Sequence, residues 1–288
     1  MSKYAFSLAY PQSRTTSVVF ASPHSGREYP WTFMKSTVLD ERVVRSSEDA
    51  FVDDLYDCAP RYGAPLIKAG APRAYVDLNR SPAELDPALI QGVRKNGHNP
   101  RVASGLGVIP RVVANGQMIY SGKITQNEAQ RRIDTYWRPY HEALKAELDQ
   151  ARTMFGESIL IDCHSMPHEA MDNIAKTGVP RPEVVLGDRF GASASEEIVD
   201  RIETAFLKAG LVVTRNTPFA GAYIAQTYGR PASGMHAVQV EIDRSLYMNE
   251  TQVRPNSNFA AFKALLERIV ADITEIGRAA HTRPLAAE

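Results

Sequence analysis

The chain has 288 residues, 44% hydrophobic and 23% charged, which is enough apolar material for the core of a sizeable globular α/β protein. Its 33 basic and 33 acidic residues cancel, so the basic excess of a nucleic-acid-binding surface is excluded. Two cysteines, Cys58 and Cys163, cannot build a disulfide framework, no stretch approaches the roughly 20 apolar residues of a membrane helix, and the opening MSKYAFSLAYPQSR lacks the apolar centre of a secretion signal, so a reduced, cytoplasmic setting away from membranes is expected.

In chain order, apolar runs suited to strands fall at residues 17–23, 65–69, 74–78, 158–163, 184–187, 211–214 and 237–242. Helical patterns occupy 48–62, 125–155, 193–209 and 257–280. Several of the apolar runs are continuous, which suits strands covered on both faces. Strand–helix alternation predicts an α/β fold: a three-layer α/β/α sandwich with a mixed, mostly parallel central sheet. The strongest helix opens on TQNE, a capping box, and then places Ile133, Trp137, Tyr140, Leu144 and Leu148 on one face. His141 lies beside that face and reads as structural. Residues 81–122 are rich in Gly, Pro and Asn and carry no clear period. A connection that long is usually functional or disordered. It reads as an insertion or lid over the site, within one domain spanning 1–288. Residues 169–181 and the stretch TPFAGAYIAQTYGRPASG read as further rim loops, and His98, His168, His236 and His281 as surface groups.

Three apolar runs end on polar chemistry: SVVFASPHSG reaches His24, ILIDCHSM carries Asp162 and His164, and AVQVEIDRSLYM carries Glu241 and Asp243. A fourth, YVDLNR, delivers Asp77, Asn79 and Arg80. Open α/β sheets bind ligands at the carboxyl ends of their strands, so parallel strands bring these groups to one rim. Two histidines with carboxylates and no cysteine cluster suit a catalytic zinc with an open position for water; other divalent ions share this ligand chemistry. A glutamate inside an apolar run is costly unless paired or used. His24 is also readable as a turn residue, and DLNR as a turn closed by its own asparagine.

The motifs PHSGREYP, SEDAFVDDLYD, PRAYVDLNRSPAELDP, IDCHSMP and VQVEIDRSLYM, spread from about residue 17 to about residue 250, resemble the N-formylglutamate amidohydrolase (deformylase) family. That family is distantly related to the zinc carboxypeptidases and aspartoacylase, and the resemblance implies their sandwich fold. It implies His24 and His164 as metal ligands. The carboxypeptidase relatives take their carboxylate ligand three residues after the first histidine, but Arg27 stands there; the resemblance points instead to Asp49, with Glu48 next in line and Glu28 out of spacing. It implies Glu241 as general acid/base, Arg73 as a stabiliser of the oxyanion, and Asn79 with Arg80 as the grip on a substrate carboxylate. The expected cofactor is Zn2+ and the expected partner a small N-acyl amino acid, N-formyl-L-glutamate foremost; nothing indicates the oligomeric state. Two other readings stay open: an amidase or peptidase for another N-acyl amino acid or peptide, and a non-catalytic binding protein on the same fold.

Overall fold

A computed structural model describes residues 5–94, 99–172 and 180–278. Seven strands form one sheet: β1 Phe6–Ala9, β2 Val18–Ser22, β3 Leu66–Ala69, β4 Ser158–Met166, β5 Val184–Gly187, β6 Val213–Arg215 and β7 Met235–Asp243. Their spatial order is β1-β3-β2-β4-β7-β5-β6. The central pairs β3–β2, β2–β4 and β4–β7 are parallel, while β1 and β5 join antiparallel. This is the expected mixed, mostly parallel sheet.

Side chains of a strand alternate between faces. Val18, Phe20, Ile159, Ile161, Val238 and Val240 point into one core, which the helices Glu196–Lys208 and Phe259–Ile276 cover with Ile202, Phe206, Leu266 and Ile273. Val19, Ala21, Leu160 and Ala237 point into the other, covered by Tyr136, Tyr140, Leu144 and Leu148 of a long helix. That helix runs through Gln126–Arg132, a π-helical turn at Ile133–Trp137 and Arg138–Phe155. Of the expected capping box the N-cap half forms: Thr125 Oγ1 accepts from the Glu128 N–H at 3.1 Å, while the Glu128 carboxylate turns to Arg131 and Arg132.

Some expectations need correction. β1 was hidden in the N-terminal stretch, because four residues against one neighbour carry little pattern. Residues 48–62 do not form one helix. Phe51 turns left-handed (φ 67°), leaving a single turn at Val52–Leu55 and a 3-10 turn at Ala59–Tyr62 that contains Pro60. The stretch TPFAGAYIAQTYGRPASG is not all loop, since Tyr223–Tyr228 is helical. His236 is buried, not a surface group, and its Nδ1 accepts from the Ser195 N–H at 3.1 Å. His98 and His281 lie outside the described residues.

Residues 74–78 are no strand despite their apolar run. Buried backbone groups need partners, and these find them off the sheet. The N–H groups of Tyr75 and Val76 bond Pro72 O, and that of Asp77 bonds Val108 O. The long helix supplies further partners from its side chains: Arg132 Nη1 to Tyr75 O (3.2 Å), His141 Nε2 to Leu78 O (2.8 Å) and, just beyond the run, Trp137 Nε1 to Arg80 O (2.9 Å). An apolar run satisfied this way looks like a strand in sequence.

Candidate active site

The period-2 rule builds the floor. Asp162 and His164 are two apart on β4, so they share a face; Gln239 and Glu241 do the same on β7. The parallel register sets Asp162 opposite Gln239 and His164 opposite Glu241. The result is a two-by-two array of polar groups, all buried. Within it His164 Nε2 lies 3.0 Å from Asp162 Oδ2, and Gln239 Nε2 donates to Glu241 Oε1 at 2.9 Å.

His24 follows β2 in a turn held against the end of β3. A Cβ on Gly26 would stand 2.1 Å from Ala71 O, so only glycine permits that approach. The Asp49 N–H bonds His24 O at 3.0 Å, which draws the broken 48–62 segment to the same place. One atom from each of His24, Asp49 and His164 can then be chosen so that all lie within 4.8 Å of one another.

The orientation of both rings is determined. His24 Nε2 is 2.7 Å from Asp77 Oδ1, and His164 Nε2 faces Asp162. With each Nε2–H donated to a carboxylate, Nδ1 is the ring atom left to bind a cation, and both Nδ1 atoms face Asp49 Oδ2, at 3.4 Å from His24 and 2.9 Å from His164. An imidazole held by a carboxylate through one nitrogen and open at the other is the usual arrangement of a metal-binding histidine. His24 Nδ1 is buried and makes no hydrogen bond, a state that polar atoms seldom tolerate. The cluster's field asks for positive charge at the same spot. Against the opposing effect of burial, Asp162 and Asp49 raise His164 well above its ordinary pKa. Likewise, against burial, His164 and His24 hold Asp49 well below the carboxylate range. The donor set therefore fits a divalent cation.

Burial, with Asp49 nearby, pushes Glu241 up to about 7, against the downward pull of His164, Arg73 and Arg244. A carboxyl near neutrality can both accept and return a proton. Arg73 pairs with Asp77 through Nε at 3.1 Å. Arg80 donates to Leu106 O and to Asn79 O, at 3.1 and 2.9 Å. Asn79 is held inside the protein: its Oδ1 accepts from the Ile224 N–H, and its Nδ2 lies 3.3–3.5 Å from His164, Asp162 and Gln239. The other candidate carboxylates are elsewhere. Glu48 accepts from Tyr29 and Arg45, and Glu28 is exposed. Arg27 pairs with Asp53 at 2.7 Å.

Asp162 behind His164 and Gln239 beside Glu241 were not assigned roles from sequence, nor were Arg244 and Asp77. Arg244 reaches Asp49 Oδ1 at 3.0 Å and Ser165 Oγ at 3.2 Å; its signal was the position just past the acidic end of β7. Asp77 anchors His24, and only its place beside Asn79 and Arg80 hinted at use. All these elements surround a cavity of about 690 Å3, lined by His24, His164, Glu241, Arg73 and Arg80 and walled on one side by residues from 101–116. That is an ordinary size for a small-molecule site.

Fold and site define a three-layer α/β protein that gathers a His–Asp–His cluster and a buried glutamate at the carboxyl edge of its sheet. A family model described as N-formylglutamate amidohydrolase matches residues 16–248. The chain belongs to the N-formylglutamate amidohydrolase family. It is 29% identical over 252 residues to an N-formylglutamate deformylase of Pseudomonas putida, covering 85% of this chain and 86% of that protein. It is 27% identical over 240 residues to an N-formylglutamate deformylase of Pseudomonas aeruginosa, covering 81% and 82%. A crystal structure of N-formylglutamate amidohydrolase from Ralstonia eutropha is similar with a TM-score of 0.88 at 35% identity, covering 94% of this chain and 98% of that one. A gene product of Agrobacterium tumefaciens shares the fold at 16% identity, with a TM-score of 0.65 and coverage of 96% and 97%. Among the described residues, no helix is long and apolar enough to cross a membrane.

Proposed function

We propose that this protein hydrolyses the amide bond of an N-formyl amino acid, N-formyl-L-glutamate first, releasing formate and the free amino acid. His24, Asp49 and His164 would hold one divalent cation, Zn2+ foremost. The observation that carries this reading is the pair of Nδ1 atoms turned toward Asp49 by carboxylates behind each ring. Family membership and the named activity of the relatives support the substrate.

When bound, the cation supplies Lewis-acid polarisation of a carbonyl and acidifies water. Glu241 accepts a proton from the attacking water and returns it to the departing amine. Gln239 orients the Glu241 carboxylate through its amide. Arg244 and Asp77 hold Asp49 and His24 in place. Arg73 sits at the cavity wall, where its charge favours the developing oxyanion. Arg80 grips the substrate carboxylate, and a guanidinium suits this because its planar fork meets both oxygens. Asn79 serves that grip by positioning, since its own amide is engaged within the protein.

Metal analysis of the purified protein, with hydrolysis of N-formyl-L-glutamate measured before and after chelation, tests the reading. One bound ion per chain is expected, with turnover lost to the chelator and regained on adding Zn2+. Full turnover without metal would overturn the cation, and no hydrolysis by the metal-loaded protein would overturn the substrate. The cavity volume of about 690 Å3 favours a second reading, in which longer N-acyl amino acids also enter. A panel of N-formyl, N-acetyl and dipeptide substrates separates the two.

A further inference from the structure

The charges that line the cavity do not balance. Arg73 has Asp77 as an acidic partner and Arg244 has Asp49. Arg80 and Arg101 also line the cavity, and neither forms an ion pair among the described residues. The hydrogen bonds of Arg80 go to neutral carbonyls, and its pKa is lowered, first by burial, with Arg73 and Arg101 adding to the fall against Asp77 and Glu84. The guanidinium of Arg101 makes no hydrogen bond among the described residues. Two guanidinium charges thus share one cavity with no ion-pair partner among the described residues.

The backbone brings the two residues to the same side of the cavity. Asn99 Oδ1 caps the short Pro100–Ala103 turn by accepting from the Arg101 and Val102 N–H groups. The Leu106 N–H bonds Arg101 O at 2.8 Å, while Leu106 O accepts from Arg80 Nε at 3.1 Å. One residue therefore ties the main chain of Arg101 to the side chain of Arg80. Arg111 braces the same segment through Asp86 at 2.8 Å and through Ala103 O.

We propose that Arg101 is a specificity residue that receives the side-chain carboxylate of a doubly acidic N-acyl amino acid, while Arg80 receives the α-carboxylate. Two unpaired cations match a substrate with two anions. Arg101 is exposed, so a neutral substrate side chain would leave its guanidinium to water alone. The inference rests on the amidohydrolase reading and adds the residue that selects glutamate over glutamine.

The test compares kcat/KM for N-formyl-L-glutamate and N-formyl-L-glutamine in the wild type, Arg101→Gln and Arg101→Lys. Arg101→Gln should reduce the glutamate preference about tenfold to hundredfold, the range for one charged hydrogen-bonding group, mainly through KM. Arg101→Lys should restore part of that preference, because it restores the charge. An unchanged ratio in Arg101→Gln overturns the proposal, and so does an equal loss on both substrates. If the wild type cleaves neither compound, the hydrolase reading fails by itself. Calorimetric binding of L-glutamate against L-glutamine then decides the role of Arg101: the wild type should prefer glutamate and Arg101→Gln should not, and equal wild-type affinities overturn it.

Discussion

The strand-borne rim and the loop-borne wall of the cavity are built on opposite plans. The rim carries His164 and Glu241 on β4 and β7, whose ladder fixes each side chain by register. The wall carries Arg80 and Arg101 on irregular backbone, held by side chains reaching across from elsewhere. The rim is rich in acids and imidazoles, whereas the wall's unpaired charges are cationic. In the proposed function, the general base and one metal ligand sit on the ladder, where placement is tightest. The proposed recognition of substrate falls to the loop, as is common where a rigid scaffold supports variable connections.

Altering the rim should do the most damage. Glu241→Gln should lower kcat by about 10²–10⁴, the usual contribution of a general base, with the metal still bound. Steady-state kinetics and metal analysis check this; near-normal turnover would sink the assignment. In the wild type, activity that needs the Glu241 carboxylate should fall as pH drops through its pKa, about 7 in the metal-free protein. A bound cation favours the carboxylate and moves that limb to lower pH.

The wall has its own weak point behind it. Burial lowers His141 from 6.5 to about 4, and its Nε2–H holds Leu78 O just ahead of Asn79 and Arg80. Below 6.5 the unfolded chain binds a proton that the folded protein refuses. Stability is therefore fully present above 6.5 and is lost as pH falls toward 4, by about 3 kcal/mol from this group. Denaturant midpoints at pH 7.5 and 4.5 should show a smaller acid loss in His141→Gln than in the wild type. Equal losses would remove His141 as the cause.

A change in the irregular segment behind the rim is milder. Asp77→Asn weakens the anchor on His24 Nε2 and should reduce metal affinity about tenfold to hundredfold in a chelator competition. An unchanged affinity would mean that the ring needs no anchor. The smallest effect belongs to the wall: Arg80→Ala should raise KM about tenfold or more with a lesser change in kcat, since it removes binding common to ground and transition states. A large loss in kcat at constant KM would blur the division between rim and wall.

Much of the rim was legible. Apolar runs that end on His24, His164 and Glu241 stand out because burying such groups is costly, and the structure brings all three to one cavity. Asp49 was reached only through resemblance, since 48–62 read as helix until the left-handed Phe51 broke it. Arg101 carried no signal, because residues 81–122 have no period from which to infer a direction.

The sequence by itself determined the layers of the sandwich and which side chains share a strand face. Both follow from local periodicity, a short-range property of the chain. Only the tertiary structure decided which nitrogen of each imidazole is open, that an apolar run at 74–78 leaves the sheet, and which arginines lack an acidic partner among the described residues. Those outcomes depend on contacts between residues far apart in the chain, such as Asp49 with His164 and Leu78 with His141, and local pattern carries no information about them.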